Sequence, residues 1–507
     1  MKSPIKIALR RAGVLLALVA PLAACSLAPT YSPPKTVLPD SYQGTGPFVL
    51  ARPGDQLSRG PWWEVFKDPQ LDTLERELDA SNPTLRAEQE TYTQARDVVA
   101  EARSQLFPQL SAQAFATDNG LSKHALFHSA SSGSPLEESS LGYGAAATWE
   151  PDLWGEIRNR TNYAKANAQA AAAMVASARL SLEMELADDY VKLRGLDEQH
   201  VIYTNTVRSY NEAVKLTSLR YNRQISPGLD VERARNQLAA AQAADTEIEA
   251  QRAVLEHAIA VLAGANPSTF TLAPDGLAHL STPVVPVGVP SALLQRRPDI
   301  AAAERRMSAA NAAVGVARAA FYPNIDLAAS FGFEDNGLAL AALPESLWSV
   351  GASAMLPLFE GGSRRAELQQ SWSTVHQAAD NYRATVLDAF RQVEDELALT
   401  DKLATEYGQQ RDAVTAALKV QTIAMELYTS GLDNYLNVTV AQVAALNAEL
   451  SAAKVHARRL QAAVDLVGAL GGGWTAAALP TPQETVPFSP LALRSSAGEA
   501  SQTPTPR

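Results

Sequence analysis

Few side chains in this 507-residue sequence have the type and spacing that chemistry requires. Cys25 is the only cysteine, so no intramolecular disulfide can form and a thiolate metal site has no partner ligands. His124 and His128 are four apart, a spacing metal sites use. They fall in a polar loop with no cysteine or acidic residue at ligand distance along the chain. Asp188 with Asp189, and Glu394 with Asp395, offer paired carboxylates suited to acid–base catalysis. Both pairs occupy roughly equivalent places in long charged segments, where solvated charge is the plainer reading. No phosphate-binding loop, dinucleotide fingerprint or nucleophile elbow is present. The sequence therefore offers no catalytic constellation, and neither a cofactor nor a metal is expected from it.

Cys25 has a different chemistry open to it. Lys2, Lys6, Arg10 and Arg11 precede the apolar run Val14 to Ala24, about half of the roughly 20 residues a membrane-spanning helix needs, so residues 1–24 read as a signal peptide. The run closes on Leu22-Ala23-Ala24-Cys25, which resembles a bacterial lipobox. Cleavage before Cys25, diacylation of its thiol and acylation of the new amino terminus would follow, and several acyl chains anchor stably where one is marginal. An incidental thiol beside a cleavable signal is the alternative. Ser26, where aspartate would favour inner-membrane retention in many enteric bacteria, leaves the outer membrane open. The net charge of -11 and pI near 5.3, with no basic block beyond the first eleven residues, argue against a nucleic-acid partner.

The elements that position these residues come in two copies. Ala102-Arg103-Ser104-Gln105-Leu106-Phe107-Pro108 returns as Ala317-Arg318-Ala319-Ala320-Phe321-Tyr322-Pro323, while Tyr221 answers Tyr428 and Gly264 answers Gly471. After a Pro/Ser/Gly-rich linker, 25–60, the first copy covers 61–264 and the second 298–474, joined by a Pro- and Val-rich bridge, 265–297. Alternation predicts a strand hairpin in each, at 109–152 and 324–358. Strands of about ten residues suit a tilted bilayer crossing, and equally an ordinary soluble hairpin. Residues 158–223 and 363–430 lack proline and nearly lack glycine, so each predicts one helix of roughly 100 Å at about 1.5 Å per residue. Antiparallel partners return to 264 and 470, completing helical hairpins 158–264 and 363–470. Leu436, Val443, Leu450, Ala457 and Val464 lie seven apart, as do Ala241, Ile248, Leu255 and Leu262, a coiled-coil repeat. The abundant alanine suits helices packed on two flanks in a tube wall, or a plain two-helix hairpin. Residues 475–507 read as a mobile tail.

Four membrane strands cannot close a barrel, and open edges do not survive in lipid, so membrane insertion would require several subunits to share one barrel. The lipobox, Trp62-Trp63-Glu64-Val65-Phe66-Lys67-Asp68-Pro69, the Phe-Pro and Tyr-Pro helix ends, Leu293-Leu294-Gln295-Arg296-Arg297-Pro298-Asp299-Ile300 and Ala469-Leu470-Gly471-Gly472-Gly473-Trp474 resemble the TolC family, best its lipidated OprM and NodT branch. The likeness runs from about residue 25 to 475. It implies a mainly α protein with a membrane β-barrel part. Three protomers would share a twelve-stranded barrel and a long α-helical coiled-coil tube. It also implies the exit duct of a tripartite efflux pump for drugs or other small molecules, embedded in outer-membrane lipid, with a periplasmic adaptor and an inner-membrane transporter as partners and no enzymatic activity. A lipid-anchored periplasmic coiled-coil structural or adaptor protein is the alternative.

The same resemblance marks the turns at Tyr221 to Asp230 and Tyr428 to Leu436 as the duct's periplasmic tips. A bond between Tyr428 and Asp230 is the expected latch of the gate, strong enough to close and weak enough to release. As an alternative or in addition, Asp230 would cap the returning helix. The tip turns carry Gln224 and Gly228 in the first copy and Gly431 in the second, so the first turn is expected to have its own shape. Asn437 and Val440 stand where relatives often carry pore aspartates, leaving Asp433 as the substitute charge.

Overall fold

The computed structural model describes residues 26–33, 42–43, 61–120, 137–283, 294–336 and 346–488. Residues 1–24, read above as a signal peptide, Cys25, His124 and His128 lie outside them. After a 3-10 turn at Trp62–Phe66 come α1 (Pro69–Ser81) and α2 (Pro83–Ser104), β1 (Gln109–Gly120) and β2 (Glu137–Trp149), then α3 (Glu156–Asn222) and α4 (Gly228–Leu262). The second copy has α5 (Pro298–Ala319), β3 (Asn324–Asn336), β4 (Ser346–Met355), α6 (Ser363–Thr429) and α7 (Tyr435–Ala469). The two long helices have 67 residues each and the two returning helices 35 each. Each long helix holds one glycine and no proline, which is why nothing interrupts it.

The four strands form one antiparallel sheet in the order β1-β2-β3-β4. Its register puts Ala112, Ala145, Phe331 and Trp348 in one cross-strand row and Ala114, Tyr143 and Phe333 in the next. Directly opposed residues share a face. One face is therefore apolar, while Ser111, Gln113, Ala146, Ser330 and Ser349 line the other. No element among the described residues covers the apolar face: Leu110 is 79% exposed, Trp348 73% and Val350 76%. A soluble hairpin would bury such a face against a core, so this one fits lipid. β1 and β4 each keep one unpaired edge among the described residues.

α2 and α5 pack along the strand-side half of α3, whereas α4 and α7 pack along its far half. The main core lies between these levels. There Trp62, Phe66, Leu71, Tyr190, Leu193, Ile259, Leu277, Val393, Leu460 and Val467 bring together α1, α3, α4, the bridge, α6 and α7. The copies are joined to it alike. Asn82 caps α2 and donates from Nδ2 to the Leu262 carbonyl, while Arg297 precedes α5 and donates to the equivalent Ala469 carbonyl. After each of those carbonyls the chain turns at a left-handed glycine, Gly264 at φ 73° and Gly471 at φ 96°. A Cβ at Gly264 would stand 2.7 Å from the Ser81 oxygen, and one at Gly471 2.1 Å from the Arg296 oxygen, so no side chain fits.

Two expectations change. In α4 the seven-residue seam holds, with Ala241, Ile248 and Leu262 buried. Toward the tip of α7 it does not: Leu436 and Val443 are 44% and 41% exposed, while Tyr435, Val438, Ala441 and Gln442 are buried. The helix turns that second row inward, leaving Leu432, Leu436, Val440 and Val443 as an uncovered apolar flank. Residues 475–488 are not loose either. Val486 packs against the Val99, Ala102 and Ala168 cluster, Leu479 against Ala173 and Ala302, and Gln169 donates to the Pro480 carbonyl. Scattered apolar residues in a Pro/Thr-rich stretch suffice to seat it on α2, α3 and α5.

Candidate functional site at the helical tips

Both long helices end in the same bonded turn. In the first copy Ile225 N–H donates to the Arg220 carbonyl at 2.8 Å and Gln224 N–H to Tyr221 at 2.8 Å. In the second, Leu432 N–H donates to Leu427 at 2.9 Å and Gly431 N–H to Tyr428 at 3.1 Å. This pair of bonds needs a left-handed residue just past the helix, and Gln224 supplies it at φ 58° as Gly431 does at φ 75°. The first turn, expected to have its own shape, thus shares the helix-end half of the second despite Gln224. The helix-end hydrogen bonds impose the conformation, and Gln224 adopts it against its steric preference.

The turns then diverge. α7 starts at Asn434, whose side chain accepts from Asn437 N–H, whereas α4 starts at Pro227 with no side-chain cap. Asp230 therefore does not cap the returning helix. It lies in the first turn with its own N–H bonded to Pro227, buried, its carboxylate 3.9 Å from Arg233. Gly228 lies under the ring of Tyr221.

Tyr428 is 2% exposed and packs edge-on to Tyr435 at 5.2 Å, among Ala213, Ala234, Ala424, Val438 and Ala441. Its hydroxyl lies near that of Ser226 and neither makes another hydrogen bond among the described residues, while the hydroxyls of Tyr210 and Tyr435 have no partner there. The direct Tyr428–Asp230 bond is accordingly not made within the chain. Asp230 is nevertheless close enough to act electrostatically: burial raises the Tyr428 phenol above its ordinary range, the Ser226 hydroxyl works against this, and the Asp230 charge adds to it, against Arg220. Burial likewise pushes Tyr210 to about 12.

What holds the two tips together instead is Arg220. Its guanidinium sits 4.6 Å from the Tyr428 ring centre and donates to the carbonyls of Tyr428 and Thr429 at 3.2 and 3.3 Å, closing the end of α6 from the end of α3. A basic residue one position before Tyr221, in the last turn of a helix, was the available signal. Asp433 is partly exposed and tied down by Asn437 Nδ2 at 2.8 and 2.9 Å and by Asn434 N–H. These bonds, the Asn437 one foremost, hold its carboxyl below the usual range.

The paired carboxylates of the long helices have separate structural partners. Asp188 accepts from Gln461 and pairs with Lys192, which also meets Asp189; Asp395 pairs with Arg391, and Glu394 accepts from Gln43 N–H. A second buried network escaped sequence reasoning because its charges look like solvated helix faces. Arg194, 2% exposed, bonds Asp197, Tyr190, Gln70 and the Ala273 carbonyl. Arg252 bonds Asp197, Glu256 and the Leu272 carbonyl, clamping the bridge onto α3 and α4.

A two-faced sheet with open edges, standing on helices long enough to cross a periplasm and ending in a packed tip, defines a segment of the wall of a membrane-anchored duct. A sequence profile described as outer membrane efflux protein matches residues 74–265 and 289–472, one stretch in each copy. The chain belongs to that family. It is 30% identical over 456 residues to the outer membrane protein OprJ of Pseudomonas aeruginosa, covering 89% of this chain and 94% of that one. It is also 28% identical over 457 residues to the toluene efflux pump outer membrane protein TtgC of Pseudomonas putida, covering 89% and 93%. Among solved structures, the outer-membrane channel OprN superposes with a TM-score of 0.82 at 28% identity, over 89% of this chain and all of that one. The open state of the MtrE outer membrane channel of Neisseria gonorrhoeae gives 0.78 at 25%, over 89% and 99%. OprN and MtrE are outer-membrane channels, and TtgC is the outer membrane protein of an efflux pump. The chain is an outer-membrane efflux duct, and the alternative of a structural coiled coil that never enters the membrane is set aside.

Proposed function

We propose that three copies form the complete duct, serving as the exit stage of a tripartite pump with a periplasmic adaptor and an inner-membrane transporter, and that the chain performs no chemistry of its own. The observation that carries this reading is the pair of unpaired edges on β1 and β4. Unsatisfied backbone groups in lipid cost several kcal/mol each, so the edges must be met by neighbouring copies. The exposed flank Leu432, Leu436, Val440 and Val443 supports the same closure along the tube. Drugs, solvents or other small molecules are the proposed cargo, by analogy with the toluene efflux pump protein.

Lipidation of Cys25 belongs to the same proposal. Ser26 donates to Asn159 at 2.8 Å, and the Leu27 and Pro29 carbonyls accept from Arg318 and Asn311, so the residues after Cys25 lie where α3 and α5 meet the strands. That is the level at which acyl chains would enter the inner leaflet. Asp230, Tyr428 and Asp433, together with the Arg220 that packs on Tyr428, are the proposed periplasmic gate. Purified protein in planar bilayers, with its mass measured in native detergent complexes, tests the reading. A trimer that conducts supports it, and a non-conducting monomer or dimer overturns it.

A further inference from the structure

Halfway along the first helical hairpin, His200 of α3 faces Asp245 and Glu249 of α4. His200 Nδ1 is 2.8 Å from Asp245 Oδ1, and one ligand atom from each of the three residues lies within 4.8 Å of the others. Asp245 has no lysine or arginine partner among the described residues, and Glu249 makes neither a hydrogen bond nor an ion pair there. Asp245 and Glu249 are one turn apart on the same helix face, where like charges repel. Two carboxylates turned toward an imidazole, with no lysine or arginine beside them among the described residues, leave room for a cation from solution.

We propose that His200, Asp245 and Glu249 form a binding site for a borderline divalent cation of the Zn²⁺ class, which clips α3 to α4. One imidazole and two carboxylate oxygens, with remaining positions for water, make a donor set that Zn²⁺ accepts at about 2.0–2.2 Å per bond. Ligand atoms on such an ion stand about 3–4 Å apart, so binding needs only small side-chain shifts, the 2.8 Å His200–Asp245 pair opening slightly and Glu249 moving in. A Ca²⁺ site would want about six to eight oxygens, and the cluster offers too few.

The second hairpin supplies an independent comparison at the same register. Tyr407 and His456 occupy the places of His200 and Glu249, and Ala452 that of Asp245. Tyr407 and His456 stack at 5.0 Å between ring centres. Both hairpins thus join their two helices at this level, one through a ring stack and the other through a charged cleft that is complete only with a cation. The distance from His200 to the end of α3, about 33 Å at 1.5 Å per residue, separates the clip from the tip.

The test is calorimetric titration of untagged, EDTA-stripped full-length protein with ZnCl₂, alongside Co²⁺ binding followed by its visible spectrum. One equivalent per chain is expected, with a Co²⁺ spectrum of nitrogen and oxygen ligands and no thiolate band. His200→Ala and Glu249→Gln should each weaken binding at least tenfold while leaving helicity and heat-dissociation temperature unchanged in EDTA. His124→Ala/His128→Ala should leave binding intact. No stoichiometric binding, binding indifferent to His200 and Glu249, or binding lost with His124 and His128 would each overturn the proposal.

Discussion

The guanidinium of Arg220 stacks on the ring of Tyr428 while donating to the backbone of that same residue, so one side chain from the end of α3 holds both the face and the main chain of the end of α6. The stack contributes about 0.5–2 kcal/mol and each hydrogen bond about 0.5–1.5 kcal/mol to whichever arrangement of the tips contains them. Arg220→Ala is therefore expected to open the duct more than Asp230→Ala, with single-channel conductance in planar bilayers as the measure. Conductance equal to the unaltered channel would remove Arg220 from the gate.

Gln224 holds a left-handed conformation that glycine adopts freely. Gln224→Gly should stabilise the first tip by about 1 kcal/mol, visible as a higher heat-dissociation temperature. Gly431→Ala should lower it by a similar amount. A loss on Gln224→Gly would show that the glutamine side chain, rather than the turn, matters there.

The tips show how far sequence reasoning reaches. Absence of proline and glycine sets the long helices to within about two residues, and alternation places all four strands, because both signals are local. Arg220, the cap-free start of α4 and the inward rotation of Tyr435 depend on which helix face meets which neighbour, and no single segment encodes that. The bridge clamp was hidden for the same reason. Arg194, Asp197 and Arg252 look like surface charge until the bridge folds over them. The seating of residues 475–488 rests on a few apolar contacts spread over three helices.

Asp197 is the shared anion of that clamp, 4% exposed and bonded by two arginines. Asp197→Ala leaves Arg194 buried without its carboxylate, and a loss of about 3–5 kcal/mol is expected. Outer-membrane yield and heat dissociation would report it. Asp197→Asn, which keeps the shape and some hydrogen bonding, should fall between Asp197→Ala and the unaltered protein; equality of all three would show that the clamp contributes nothing.

Glu183 accepts from Trp62 Nε1 at 2.8 Å at the centre of the core, and burial raises its carboxyl to about 7, with nearby Asp79 adding. Glu75, fully buried beside it, is pushed up as well, by burial and then by Glu183. A folded state that keeps a proton which the unfolded chain releases loses stability as pH rises between the ordinary carboxyl value and about 7, then levels off. Stability should therefore fall from pH 5 to 7.5, by on the order of 2 kcal/mol for Glu183, read as a lower heat-dissociation temperature. Glu183→Gln should flatten that part of the curve; an unchanged slope would assign the dependence to other groups, among them Glu396 and Asp465, which burial raises to about 7 and 6.

The equal lengths of α3 and α6, and of α4 and α7, carry a consequence for how such a chain can change over generations. The two arms end in the same plane only because they contain the same number of residues. One added heptad in a single copy would lift its tip by about 10 Å at 1.5 Å per residue, tilting the rim and separating Arg220 from Tyr428. Variation in reach must therefore be inherited in pairs, so the duplication acts as a constraint on length long after it ceased to constrain sequence.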